Sequence, residues 1–231
     1  MAFKNRRINN EQNRIIVADN PTSIISEEIR TIRTNIQFSM VDKELKTILV
    51  TSATPESGKT TIASNIAAAF AAEGTQVLLV ATDMRKPRLQ KIFEASKGRG
   101  LTNLITNSGL KVENVAQKTY IENLSVLICG PIPPNPSELL NSSRMTDLIE
   151  EMKSQYDLVI FDSPPLLAVT DAQILATKVD GTIFVIPQGE VTTDEVHQAS
   201  ERLKKVDAKV LGTVLNKVER TADAYYYYES E

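Results

Sequence analysis

The chain has 231 residues, of which 42% are hydrophobic and 24% charged, and its formal net charge is −3. This length fits one large α/β domain, and the lack of a basic folded body argues against a general nucleic-acid binder, so no nucleic acid is expected as a partner. A single cysteine, Cys129, excludes an internal disulfide, and a single histidine, His197, leaves no support for a Ser–His–Asp or Cys–His mechanism.

The N-terminal part of the chain divides into an arm and a helix. Residues 1–20 carry a basic cluster but lack the apolar segment of a secretory signal, so we predict a flexible basic arm. Residues 22–39 predict an amphipathic helix. Its hydrophobic face consists of Ile25, Ile29, Ile32 and Ile36. Since no stretch reaches the roughly 18 apolar residues that span a bilayer, the chain is expected in the cytoplasm.

From residue 46 onward, short apolar runs alternate with helical patterns. Strands are predicted at 46–52, 76–81, 124–129, 157–162, 181–187 and 209–216. Helices are predicted at 59–74, 137–155, 170–179 and 192–206. Apolar strands separated by helices indicate a mostly parallel sheet with helices on both faces. We assign residues 21–216 to this α/β domain and residues 217–231 to a flexible tail.

The segment ATPESGKTT, residues 53–61, follows the first predicted strand and opens the next helix. It matches the phosphate-loop (P-loop) pattern G-x-x-x-x-G-K-[ST], with Ala53 at the first glycine position. In such a loop Lys59 reaches the β- and γ-phosphates, and the Thr60 hydroxyl can coordinate Mg²⁺. The alternative is a glycine turn with a chance lysine, which the strand–loop–helix context disfavours. The predicted nucleotide-binding residues are Pro55, Glu56, Ser57, Gly58, Lys59, Thr60 and Thr61. The fold is therefore predicted to be P-loop NTPase-like, with ATP or ADP and Mg²⁺ as cofactors.

Polar side chains follow three other predicted strands. Asp162 has the layout of a Walker B acid that holds Mg²⁺ directly or through water. Asp83 could bind the metal or activate a nucleophile, and Arg85 could neutralise charge on a transferred phosphoryl group; an ordinary surface pair is the alternative. Asn216 could hydrogen-bond an adenine edge, or it could simply belong to a turn. The candidate catalytic residues are Lys59, Asp83, Arg85 and Asp162.

These motifs together resemble the bacterial tyrosine kinases (BY-kinases) of capsule and exopolysaccharide synthesis, in their separate cytoplasmic Firmicutes form. The resemblance covers residues 20–231 and includes TDMRKP, GPIPPNPSELL at 130–140 and LVIFDSPP at 158–165. It also includes the C-terminal cluster Tyr225, Tyr226, Tyr227 and Tyr228. It implies an ATP-dependent protein tyrosine kinase that autophosphorylates this cluster and regulates exopolysaccharide synthesis and export.

The resemblance also implies partners. The family motif E-x-x-R-x-x-R matches Glu27, Arg30 and Arg33; in the family it joins subunits into a ring, an octamer, in which one tail enters the next active site. Without the family, a solvated charged face would be preferred. A membrane-embedded activator is expected to recruit the kinase to the inner face of the membrane through its cytoplasmic tail. Expected protein substrates include sugar-nucleotide dehydrogenases and glycosyltransferases.

Phosphorylation of the tail is expected to change the assembly. Each phosphate adds about −1.5 to −2 charges. Such a tail would be repelled from an acidic, metal-bearing site, so we expect the ring to dissociate.

The chain departs from the family at Ala81, where the D-x-D pattern has its first acid. This acid lies near Mg²⁺ and the nucleophile in the family. Alanine removes charge without filling space, so we expect the chain to bind nucleotide but to autophosphorylate poorly. Natural divergence and a deliberate substitution both explain Ala81, and the intact motif around it favours the second.

Two rival functions share the same motifs. A partitioning-type P-loop ATPase would have the same fold. Such proteins have a signature lysine early in the loop, where this chain has Thr54, and the tyrosine tail would have no role in them. A nucleotide-dependent scaffold without catalysis, phosphorylated by another enzyme, is made less remote by Ala81.

Overall fold

The computed structural model describes residues 15–39 and 45–219. Its strands are β1 (Thr47–Ser52), β2 (Val77–Ala81), β3 (Gln117–Lys118), β4 (Leu124–Leu127), β5 (Leu158–Asp162), β6 (Gly181–Pro187) and β7 (Val210–Asn216). They form one sheet in the order β3-β4-β2-β5-β1-β6-β7. Every neighbouring pair is parallel except β3 and β4. The strand that precedes the P-loop is therefore near the centre of the sheet.

Helices cover this sheet. They are α1 (Ile16–Asp19), α2 (Ile24–Phe38), α3 (Lys59–Ala71), α4 (Leu89–Ile92), α5 (Leu101–Thr106), α6 (Pro136–Asn141), α7 (Ser143–Gln155), α8 (Asp171–Ala176) and α9 (Thr193–Lys204). All residues of β1, β2 and β5 are buried, which requires cover on both faces of these strands. The predicted α/β fold with a mostly parallel sheet is confirmed. Within the described ranges, no helix has the length and hydropathy that crossing a membrane requires.

The structure differs from the sequence predictions at several elements. The helix predicted at 137–155 is two helices, because Ser142 is extended and its Oγ accepts the Met145 N–H, which begins α7. The short antiparallel β3 was not predicted. β7 is an edge strand and is largely exposed, although its sequence is apolar.

The predicted flexible arm also differs in its last residues. Ile15 and Val17 are buried, and the short helix α1 contacts α3. The Val17 N–H donates to Asn65 Oδ1 on α3 at 3.1 Å. Residues 15–19 therefore pack on the domain, because their apolar side chains cover α3, and the boundary predicted at residue 20 is too late. Residues 1–14 lie outside the described part of the chain.

Candidate active site

The loop between β1 and α3 crosses the carboxyl edge of the sheet. Gly58, its last residue before α3, has a φ of +82°, which favours glycine. A Cβ at this position would lie 2.2 Å from Asn216 Nδ2. That amide donates to the Ser57 carbonyl at 2.9 Å. Asn216 at the end of β7 thus holds the loop. The sequence predicted an adenine contact or a turn for Asn216, and not this contact with the loop.

Most predicted nucleotide-binding residues line one cavity of about 660 Å³ beside this loop. Those that line it are Pro55, Glu56, Gly58, Lys59, Thr60 and Thr61. Ser57 is instead buried, and its Oγ donates to the Thr54 carbonyl at 2.5 Å. Ser57 therefore shapes the loop. The first turn of α3 lines the cavity, and the N-terminus of a helix favours phosphate through its free N–H groups and its dipole.

Two carboxylates meet the first turn of α3. Thr60 Oγ1 donates to Asp162, with 2.9 Å to Oδ2 and 3.1 Å to Oδ1. Lys59 Nζ lies 3.6 Å from Asp83 Oδ2. The other oxygen of Asp83 accepts the backbone N–H groups of Arg85 and Lys86, at 3.3 and 3.0 Å. Both oxygens of Asp83 thus already have cationic or N–H partners, whereas the side-chain partner of Asp162 is the Thr60 hydroxyl.

Burial changes the chemistry of Asp162. It is only 2% exposed, and burial raises the pKa of this carboxyl from 3.8 to about 6. The charge on Asp83 acts in the same direction, while Lys59 and the Thr60 hydroxyl partly oppose the increase in pKa. A metal cation beside Asp162 would favour its ionised form. Carboxylate and hydroxyl oxygens are the ligands that Mg²⁺ prefers, so Asp162 and Thr60 fit this ion.

Ala81 lies beside Asp162. The two residues are register partners on the parallel strands β2 and β5, and Ala81 is 2% exposed. Register partners on parallel strands project to the same face of a sheet. An aspartate at position 81 would therefore place a further carboxylate next to Asp162, at the position where the family pattern has its first acid.

A buried carboxylate that the sequence did not reveal holds the partly exposed Arg85. Asp171, the first residue of α8, is 0% exposed and receives Arg85 Nε at 3.1 Å and Nη2 at 3.3 Å. Ser137 Oγ donates to the same carboxylate at 2.5 Å. Ser137 belongs to GPIPPNPSELL, so this segment fixes the orientation of Arg85 through Asp171. GPIPPNPSELL stood out in the sequence, but the sequence could not identify Asp171 as the residue that this segment contacts.

The cavity is basic. Its cationic lining residues are Lys59, Arg85, Lys86, Arg88 and Lys91, and its anionic ones are Glu56 and Asp83. The expected repulsion of a phosphorylated tail assumed an acidic site, and that assumption is wrong for this lining. Ring dissociation on phosphorylation stays a prediction, but repulsion from an acidic site no longer supports it.

The remaining predicted site residues lie elsewhere. On α2, Arg30 forms an exposed ion pair with Glu27. Arg33 pairs with Glu73 at 2.6 Å and donates to the Ala69 carbonyl at 3.4 Å, so it attaches α2 to the end of α3 within the same chain. Tyr225–Tyr228 lie outside the described residues.

Comparison with known proteins gives close matches. Residues 45–216 match the family described as "AAA domain". Tyrosine-protein kinase YwqD of Bacillus subtilis (strain 168) is 41% identical over 98% of this chain and 96% of that protein. The crystal structure of the chimerical protein CapA2B2 has a TM-score of 0.85 at 40% identity, covering 89% of this chain and 90% of that one. The kinase domain of Escherichia coli tyrosine kinase ETK also has a TM-score of 0.85, at 34% identity. The match covers 90% of this chain and 83% of that one.

A more distant likeness concerns the fold alone. The Pyrococcus furiosus cell division ATPase MinD has a TM-score of 0.65 at 22% identity and covers 77% of this chain and 74% of that one. The partitioning-type rival therefore shares the architecture, but its sequence similarity is much lower than that of the tyrosine kinases.

Proposed function

The chain belongs to the bacterial tyrosine kinase family, and from this membership we propose that it transfers the γ-phosphoryl group of ATP to the tyrosines of its own C-terminal cluster. The observation that supports this proposal most is that Lys59, Thr60 and Asp83 line one basic cavity. There Lys59 pairs with Asp83, and Thr60 donates to the buried Asp162. A tail with four consecutive tyrosines, Tyr225–Tyr228, supplies the acceptor.

In this mechanism a tyrosine phenolic oxygen attacks the γ-phosphorus of ATP. A new O–P bond forms, the bond to the oxygen bridging the β-phosphate breaks, and ADP leaves with that electron pair. The phenolic proton passes to a carboxylate, for which Asp83 is the candidate in this chain. Lys59 compensates negative charge on the β- and γ-phosphates, and Arg85 compensates charge on the group in transfer. Arg85 is held in a fixed orientation for this task by Asp171.

Mg²⁺ would be held by the Thr60 hydroxyl and the Asp162 carboxylate, with Asp83 nearby, and would neutralise phosphate charge during transfer. Asn216 keeps the Ser57 carbonyl in place. The loop N–H groups are thereby oriented before nucleotide binds, which lowers the cost of ordering them.

Ala81 reduces the activity of this chain in the proposal. Without an acid at position 81, Asp83 is left as the proposed acceptor of the phenolic proton, and it is already paired with Lys59. We expect Mg·ATP binding with slow transfer. The test is mass-spectrometric mapping of phosphotyrosine after incubation with Mg·ATP, comparing this chain with its Ala81→Asp variant. Phosphate on Tyr225–Tyr228 of the variant only, and its loss when Lys59→Met is added, is the expected result.

The second candidate function is a nucleotide-dependent scaffold whose tail is phosphorylated by another enzyme. Ala81 is the observation that favours it. If the Ala81→Asp chain binds Mg·ATP and remains unlabelled in the presence of an activator peptide, the kinase proposal is contradicted and the scaffold takes its place. Strong labelling of the unchanged chain would instead contradict the role given to Ala81.

The proposal extends to assembly and location. Glu27 and Arg30 present an exposed charged pair on α2, which is available for contact with another subunit in a ring. We propose that a membrane-embedded activator brings this ring to the inner face of the membrane, where it regulates capsule or exopolysaccharide synthesis. Sugar-nucleotide dehydrogenases and glycosyltransferases are the proposed protein substrates. Size-exclusion chromatography with light scattering tests the ring directly.

A further inference from the structure

The order of the strands separates two sides of the P-loop. The loop follows β1, and the sheet continues to β6 and β7 on one side and to β5 and β2 on the other. Asn216 ends β7 and contacts the loop from the first side. The segment from Asp83 to α4 follows β2 and forms the wall of the cavity on the second side. In the proposed function the loop and α3 hold the phosphates between these sides, so the wall that follows β2 borders the part of the cavity left for an acceptor.

This wall presents cations in addition to Lys59 of the P-loop. Lys86, Arg88 and Lys91, here called the basic wall, are all exposed and line the cavity. Arg88 lies 3.7 Å from Glu56, which is itself highly exposed. In the part of the chain that the structure describes, Lys86 and Lys91 have no salt bridge. The backbone of Lys86 is fixed by its hydrogen bond to Asp83, at 3.0 Å.

Another part of the same cavity is apolar. The side chains concerned are Ile92, Pro164, Pro165, Ala168 and Val169. Apolar side chains suit an aromatic ring, and cations suit neighbouring carboxylates or phosphates. A ligand with a tyrosyl ring flanked by acids would match both parts of the cavity.

We propose that the basic wall selects acceptor tyrosines that have acidic neighbours, with residues 222–231 of another copy of this chain as its occupant. This inference rests on the proposed kinase function. The segment ADAYYYYESE contains Asp223, Glu229 and Glu231 and no lysine or arginine. In an extended chain Glu229 lies roughly 10 Å beyond Tyr226, within reach of a wall that lines the same cavity.

The basic wall has a consequence for successive transfers. The first phosphotyrosine adds about −1.5 to −2 charges to the segment. Beside the basic wall this charge retains a partly phosphorylated segment. The second and third transfers are therefore favoured, up to the point where the wall cations are neutralised.

The experiment compares two acceptor peptides on the full-length Ala81→Asp chain, whose four tail tyrosines are changed to phenylalanine so that the peptide is the intended acceptor. One peptide has the sequence of residues 222–231, and in the other asparagine and glutamine replace the three acids. We expect kcat/KM to be roughly five- to twentyfold higher for the acidic peptide at low salt, since each exposed charge pair contributes a few-fold at most. This ratio should approach one near 0.5 M salt.

A triple variant, Lys86→Ala, Arg88→Ala and Lys91→Ala, should reduce the peptide ratio to about one while its affinity for Mg·ADP changes less than threefold. Lys205→Ala, an exposed lysine just after α9, is the matched control and should keep the ratio. Equal kcat/KM for the two peptides, which needs no variant, overturns the inference and leaves the kinase function standing. A loss of Mg·ADP affinity as large as the loss of peptide selectivity assigns the wall to the nucleotide and also overturns it.

Peptide binding separates the inference from the kinase function. If no chain transfers phosphate, the proposed function fails. Fluorescence anisotropy of the two labelled peptides with Mg·ADP then decides the inference on its own. Tighter binding of the acidic peptide that disappears in the triple variant supports the basic wall, and equal binding contradicts it.

Discussion

Replacing Asp162 by asparagine should stabilise the metal-free protein at neutral pH. Burial raises the pKa of this carboxyl from 3.8 to about 6. The folded state thus holds the proton more tightly than the unfolded state, and its stability falls as pH rises from about 4 through 6. The full shift corresponds to about 3 kcal/mol, and the part lost between pH 4.5 and 7.5 to about 2 kcal/mol. Asparagine has no such titration and still offers an oxygen to Thr60.

The assay is urea unfolding with EDTA at both pH values, for the parent chain and for Asp162→Asn. The difference in unfolding free energy between them should move by about 2 kcal/mol in favour of the variant as pH rises. Comparing two pH values removes packing differences that do not titrate. Asp147→Asn, an exposed acid on α7, is the control and should show no such change.

Addition of Mg·ADP should reverse the order of stability. The ion stabilises the ionised carboxylate, so the parent gains stability by binding and the variant gains less. A stability difference that stays constant between pH 4.5 and 7.5 would refute the reasoning, because it would mean that Asp162 is not held in a strongly desolvated environment.

Three further predictions concern the loop, the arginine and the assembly. Gly58→Ala should destabilise the protein by about 1 to 3 kcal/mol and abolish nucleotide binding, because its φ is positive and its Cβ would meet Asn216; thermal unfolding and fluorescent-nucleotide titration measure both effects, and unchanged binding would contradict the loop geometry. Asp171→Asn should lower kcat roughly ten- to hundredfold in a kinase-competent chain with a smaller effect on KM for ATP, because Arg85 loses its ionic anchor; equal changes in both constants would indicate a binding role. Arg30→Ala should reduce self-association in light scattering and leave the melting temperature within a few degrees, since this partly exposed side chain loses a surface ion pair with Glu27 and one hydrogen bond to the Pro21 carbonyl. An unchanged assembly would exclude Arg30 from the interface.

The local pattern of the sequence was sufficient for the fold class. Apolar runs such as 46–52 and 157–162 predict buried strands because a strand covered on both faces has no polar side. The loop at 53–61 was identifiable because its glycine, lysine and threonine stand at fixed positions between a strand and a helix. Lys59, Thr60 and Asp162 were therefore found from the sequence, and the structure brings them together.

Local pattern could not show how distant parts of the chain meet. Asn216 and Ser57 are 159 residues apart and meet only because strand order brings the end of β7 beside the loop. Arg85 and Asp171 are 86 residues apart, and their pairing depends on how α8 packs near the end of β2.

The sequence by itself determined six of the seven strands, the P-loop and the acid at the end of β5, since each depends on residues close in the chain. Only the tertiary structure decided that the cavity is basic, that Arg85 is anchored, and that β7 is an exposed edge. Those properties arise from strand order and helix packing, which bring together residues that are distant in the chain. The separation of such residues along the sequence does not show whether they are in contact.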